Sequence, residues 1–235
     1  MRFPGPVFAG CILVFWSAGG WAATYQSTGS AGELPAAAEI VSNPVQLALT
    51  AITGTINVSN GISAGRIFEI YINQPTLFSA STTAFSLGVN NFDTQLFLFN
   101  AAGVGVVAND DDPSTGHQQA AIPAGTSEMA SEPAGNYFIL IEGGGRYPED
   151  SGGNLLFPNY TDGVTDPASI LGPTGPGGAN PIGTLGDFSG QGGNFSIALT
   201  GAQFVATPEP VAALLLGLGA VACGRPRFRR RGPCT

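Results

Sequence analysis

Gln95-Leu96-Phe97-Leu98-Phe99 and Asn136-Tyr137-Phe138-Ile139-Leu140-Ile141-Glu142 are the two runs on which the fold turns. Both are short, rich in aromatic and aliphatic residues, and bounded by turn residues, so they read as strands. Large apolar side chains point to both faces, which predicts strands that are central and buried. Arg66-Ile67-Phe68-Glu69-Ile70-Tyr71-Ile72 alternates instead, with Phe68, Ile70 and Ile72 on one face.

Outward from these runs, residues 45–51, 54–58, 76–85, 104–108 and 194–200 read as shorter or weaker strands. Asn60-Gly61, Asn90-Asn91, Asn100-Ala101-Ala102-Gly103 and Ala134-Gly135 separate them as turns. No helical period persists for twelve residues in the body. The expectation is an all-β fold: an antiparallel, jelly-roll-like β-sandwich with short apolar helices at the two termini. Residues 143–193 fit it least. They hold fifteen Gly and little alternation, and read as a long Gly/Pro-rich loop that leaves the sheet and returns, either functional or a mobile insertion.

The charge is distributed unevenly. There is no Lys, and five of the eight Arg fall in the last eleven residues. From residue 23 to 207, fifteen Asp and Glu face two Arg, a net of −13. Such a body repels phosphate backbones, so nucleic acid is not an expected partner. Cys11, Cys223 and Cys234 all lie outside it, which leaves no disulfide framework and no thiolate metal site.

Both ends carry address signals. Met1-Arg2, an apolar stretch over residues 7–16 and Ser17-Ala18-Gly19-Gly20-Trp21-Ala22-Ala23 form a secretory signal, residues 1–22, with cleavage after Ala22. The apolar stretch is about 15 Å long as helix, half a bilayer core. At the other end, residues 207–231, Pro208-Glu209-Pro210 precedes an apolar run over 211–223. Arg225, Arg227, Arg229, Arg230 and Arg231 follow. The prolines hold the chain extended, the run can enter a membrane as a short transmembrane segment, and the Arg cluster stays cytoplasmic. This order resembles the PEP-CTERM sorting signal of Gram-negative bacteria. The resemblance implies recognition of Pro208-Glu209-Pro210 by a membrane-embedded, exosortase-type protease that removes the tail. The chain departs from that pattern in its apolar run of about 20 Å as helix, shorter than a full span, and in Pro226, which interrupts the basic cluster.

The body, a single domain over residues 23–204, also resembles a known family across residues 32–145, with the closing strand over 194–200. Gly32-Glu33-Leu34-Pro35, then Phe92-Asp93-Thr94-Gln95-Leu96-Phe97-Leu98-Phe99, Gly103 and Asn109-Asp110-Asp111, and finally Ala134-Gly135-Asn136-Tyr137-Phe138-Ile139-Leu140-Ile141, are similar to bacterial pre-peptidase C-terminal (PPC-like) domains. The resemblance implies a non-catalytic β-sandwich associated with secretion, adhesion or surface contact.

Asn109-Asp110-Asp111-Asp112 packs three carboxylates and an amide into four residues. Two readings are open: a solvated turn ended by Pro113, or a structural Ca²⁺ site built from oxygen ligands. Glu33 and Asp93 would complete the site if the fold brings them near, since PPC-like domains sometimes bind calcium. His117, the only histidine, sits in a polar loop, and no Ser, His or Cys constellation accompanies it. Glu149-Asp150 is a carboxylate pair of the kind glycosidases use. Tyr147, Phe157 and Tyr160 are expected to be exposed and able to stack on sugars.

The expected protein is not an enzyme. It passes through the export machinery, is held in the inner membrane transiently by its tail, and reaches the cell surface or extracellular matrix. There its sandwich contacts polysaccharide or other surface proteins. A carbohydrate-binding module is the alternative, and a secreted hydrolase stands behind it.

Overall fold

The computed structural model describes residues 22–83, 91–115, 117–160, 163, 165–186 and 190–207. The secretory signal apart from Ala22, the Pro208-Glu209-Pro210 motif, the apolar run and the Arg cluster lie outside them, as do both expected terminal helices. Among the described residues no helix is long and apolar enough to cross a membrane.

Among the described residues, eleven strands build two large sheets. In chain order they are β1 (Ala23–Gln26), β2 (Glu39–Ile40), β3 (Leu49–Ile56), β4 (Arg66–Ile72), β5 (Ser79–Ser81), β6 (Thr94–Asn100), β7 (Gly105–Asn109), β8 (Ala121–Ile122), β9 (Gly135–Gly143), β10 (Gly193–Thr200) and β11 (Ala202–Gln203). The first sheet runs β1-β3-β10-β5-β8. The second runs β7-β6-β9-β4-β11, with β2 also paired to β4. The fold is all-β and sandwich-like, as its patterning predicts.

Three differences from the sequence expectation have physical causes. The sheets are mixed and not purely antiparallel, because β1 runs parallel to β3 and β2 parallel to β4. The chain visits the other sheet between β1 and β3, which gives the long crossover that parallel neighbours need. The two strands expected over 45–51 and 54–58 are one strand, β3. Gly54 does not break it, because the Phe195 ring fills the place of its missing side chain, 2.6 Å from where a Cβ would stand. The strand expected over 76–85 shortens to β5, since Pro75–Leu77 forms a single 3₁₀ turn.

β6 and β9 occupy the centre of the second sheet, and every residue of β6 but Asn100 is buried. Their two-sided apolar pattern is explained by two cores. Between the sheets lie Phe68, Leu98 and Ile139 of the second sheet with Ile52, Phe195 and Ile197 of the first. On the far side of the second sheet, Ile67, Phe97, Phe99 and Leu140 pack against residues 143–193.

That excursion is a third layer, which corrects the reading of a mobile insertion. It contains a two-stranded ribbon, Pro148–Glu149 with Thr184–Leu185, and its Leu156 and Phe157 are completely buried. Phe157 packs on Phe97 and Phe99 with ring centroids 5.6 and 6.2 Å away. Its neck is tight: a side chain at Gly143, where it leaves β9, would collide with the Gln191 carbonyl, where it returns. Among the described residues, the outer face of the first sheet is covered by no layer. It carries uncharged residues such as Thr53, Thr55, Asn194, Ala198 and Thr200.

Candidate functional site

Asp93 lies just before β6, and Asp110 and Asp111 just after β7. Asn109 pairs with Leu96 in the β6–β7 hairpin, so Asp110 stands across from Gln95 at its open end. By the two-residue period of a strand, Asp93, Gln95 and Asp110 share the face of Phe97 and Ala108, the face the excursion covers. Carboxylate oxygens of Asp93, Asp110 and Asp111 lie within 4.8 Å of one another.

The electrostatics of this cluster are uncompensated. Asp110 is only 8% exposed and Gln95 is fully buried. Oδ1 of Asp93, Oδ1 of Asp110 and both amide heteroatoms of Gln95 are enclosed without a hydrogen-bond partner. Burial, then the neighbouring Asp111, pushes the Asp93 carboxyl up to about 6. Burial, then Asp93, pushes Asp110 up to about 7, against the adjacent Gln95 amide, which favours its charged form. Burial, then Asp166, raises Asp111 as well. No Arg forms an ion pair with these groups among the described residues: Arg146 pairs with Glu33 and Glu142, and Arg66 donates to backbone carbonyls. Buried carboxylates and a buried amide oxygen with no partner form a hard, anionic donor set. The cluster can hold a metal ion.

The other residues assigned to this site from the sequence have different work. Glu33 accepts from Gly65 N–H and from Arg146. Asn109 accepts from Ala121 N–H at 2.7 Å and donates to the Ser169 carbonyl at 3.2 Å, tying the excursion to β7. Asp112 turns away and accepts from the Ser114 backbone and hydroxyl and from the Thr115 hydroxyl. Burial opposes its charge, but these bonds hold its carboxyl below the usual range. Gln95 reads from sequence only as a strand residue. Its place beside the carboxylates follows from hairpin register, which needs the partner strand.

A second polar cluster lies at the neck of the excursion. Glu142, the last residue but one of β9, is completely buried and accepts from the Ser63 hydroxyl at 2.7 Å. Arg146, 5% exposed, donates to Glu33, Glu142, the Ser63 carbonyl and the Gly186 carbonyl. Burial outweighs the attraction of Arg146 and pushes Glu142 up to about 8.

The remaining sequence candidates lose their chemistry. Tyr147, Phe157 and Tyr160 are buried, which corrects their reading as exposed stacking residues: none of the three offers a ring face to a sugar. Asp150 of the Glu149-Asp150 pair accepts from the backbone of Gly152 and Asn154 and from the Asn154 and Asn180 amides, which organise a loop corner. His117 is exposed. An open trough of about 640 Å³ runs along β5 and β8, lined by Ser79, Ser81, Thr83, Thr200, Asp112 and Pro123 among others. No family model matches this chain, and neither the curated proteins nor the solved structures yield a match.

Proposed function

We propose that this chain is an exported, non-catalytic surface or extracellular-matrix protein, sorted through a PEP-CTERM tail and displaying a PPC-like, jelly-roll-like sandwich. The observation that carries this reading is the order of the tail: Pro208-Glu209-Pro210, then the apolar run, then the Arg cluster. The folded body is consistent with it. Its first strand opens at Ala23, the residue after the expected signal cleavage, and its last, Val205–Ala206, ends two residues before Pro208. Both expected cleavages thus fall outside every described strand. Of the segments that resemble PPC-like domains, residues 32–35 precede β2, and the later ones fall on β6, on the end of β7 and on β9, neighbours in one sheet.

The ion we assign to Asp93, Asp110 and Asp111 is Ca²⁺. It takes six to eight oxygen ligands in flexible geometry at 2.3–2.6 Å, so it spans donors up to about 5 Å apart.

Intact mass of the protein from membrane and medium fractions of its native host tests the sorting claim. A species from Ala23 to about Pro208 outside the cell is expected. A species retaining residues 211–235 in the inner membrane overturns it.

The hydroxyl-lined trough favours a second reading, a carbohydrate-binding module for neutral glycans. The Ser79, Ser81, Thr83 and Thr200 hydroxyls, paired with one another as Ser79–Thr200 and Ser81–Thr83, can exchange those bonds for sugar hydroxyls, above a lining that is otherwise largely apolar. Saturable glycan binding that Ser81→Trp abolishes would establish it, and flat titrations across neutral glycans would end it.

A further inference from the structure

The Asp93–Asp110–Asp111 cluster lies where several passes of the excursion meet the second sheet. Where the excursion leaves β9, the Gly144 N–H donates to the Asp93 carbonyl at 3.0 Å. Where it returns, Gln191 Oε1 accepts a long bond from the Asp93 N–H. In between, the Asp111 N–H donates to the Pro167 carbonyl at 3.0 Å, and Ala108 and Leu171 exchange both backbone hydrogen bonds at 2.9 Å. Tyr160 lies in the field of Asp110 and Asp111, and Asp166 in that of Asp111. The excursion therefore lies over the carboxylates it would have to desolvate.

Covering carboxylates that share no cation is unfavourable, because burial removes water and leaves their repulsion unscreened. Covering the same carboxylates around a divalent ion is not. Asp110 Oδ1 and the Gln95 amide oxygen, both enclosed without partners, are then satisfied as ligands. We propose that Ca²⁺, held by Asp93, Asp110, Asp111 and the Gln95 amide oxygen, couples to docking of the excursion, so that ion binding and closure of residues 143–193 onto the second sheet favour each other. The proposal rests on the calcium assignment above. Coupling of this kind is reciprocal: the docked excursion tightens ion binding by the factor that the ion tightens docking. The neck adjoins the covered site: the Tyr147 ring lies 6.4 Å from that of Tyr160, and Tyr147 follows Arg146 in the chain.

The body offers trypsin two sites, after Arg66 in β4 and after Arg146 in the neck. Protein purified from cells expressing the full chain, stripped with chelator, is titrated with CaCl₂ in a calorimeter and digested with and without the ion. Cleavage after Arg146 is expected to slow about tenfold when free Ca²⁺ is ten times its dissociation constant, in proportion to the fraction of open chain the ion removes. Cleavage after Arg66, which needs the sheet itself to open, is expected to be much slower than cleavage after Arg146 in the stripped protein, because the excursion opens without the sheet. Asp110→Asn abolishes the effect. Asp111→Asn, at a half-exposed position that folding tolerates more readily, weakens it. Saturable calcium binding with unchanged cleavage after Arg146 overturns the coupling and leaves the ion assignment standing. Absence of saturable binding overturns both. Neither result bears on sorting, which the mass measurement reads separately.

Discussion

The Arg146 guanidinium stands 3.3 Å from Glu142 Oε1, and neither side chain reaches solvent to any extent: 6% of one is exposed and none of the other. Glu33, on the rim, completes the triad. An ion pair so placed joins the end of β9 to the excursion that starts there, and its removal is not equivalent from the two sides.

Glu142→Gln should change how stability depends on pH. Burial pushes the folded pKa from 4.5 to about 8. Between those values the folded chain holds a proton the unfolded chain has released, so this group makes stability fall as pH rises, by up to about 1.4 kcal/mol per unit. Urea melts of wild type and Glu142→Gln between pH 5 and 8 read the effect as a difference. Parallel curves would mean that Glu142 is charged in the fold.

Above about pH 8, where Glu142 is charged, Arg146→Met should destabilise by about 3–5 kcal/mol, because it leaves that carboxylate buried without its partner. Adding Glu142→Leu should recover most of that loss, since an apolar pair leaves no charge enclosed. Denaturant midpoints of both variants check this; a double variant no better than the single would assign the loss to packing of the Arg146 stem.

Phe157→Ala should cost about 3–5 kcal/mol, the range for a buried aromatic whose space does not collapse. Phe157 is the excursion's contact with Phe97 and Phe99, so near-ultraviolet dichroism should fall with it. A neutral substitution would contradict the third layer.

Gly54→Val places a side chain on the Phe195 ring and should destabilise by about 1–3 kcal/mol, typical of overpacking. Phe195→Leu in the same chain should relieve part of the strain, as thermal melts would show.

Much of the sandwich is legible in the chain because strand signals are local. β6 and β9 announce their burial by apolar residues on both faces, and β4 by alternation. β1 and β2 are not legible: four and two residues hold too little pattern, and their parallel pairing depends on a crossover no local signal records. The excursion's packing escapes for the opposite reason. Tyr147, Leu156, Phe157, Tyr160, Ile182 and Leu185 are spread over many residues without a period, so the layer they form exists only once β6 and β9 present Phe97 and Leu140 to it. Of the site, Asp93, Asp110 and Asp111 are visible as acidic residues, whereas Glu33, Asn109 and Asp112 look equivalent to them and are not. Register brings Gln95 in and turns Asp112 away.

β10 sits between β3 and β5, which touch no other strand on that side, and Ile52 pairs with Ile197 across most of the chain. The first sheet therefore stays in two pieces until residue 200 is present. A chain that crosses a membrane N-terminus first delivers β3 and β5 well ahead of the strand that joins them. Long-range pairing of this kind is slow, so on the export route proposed above the first sheet would close only after nearly all of the chain had passed.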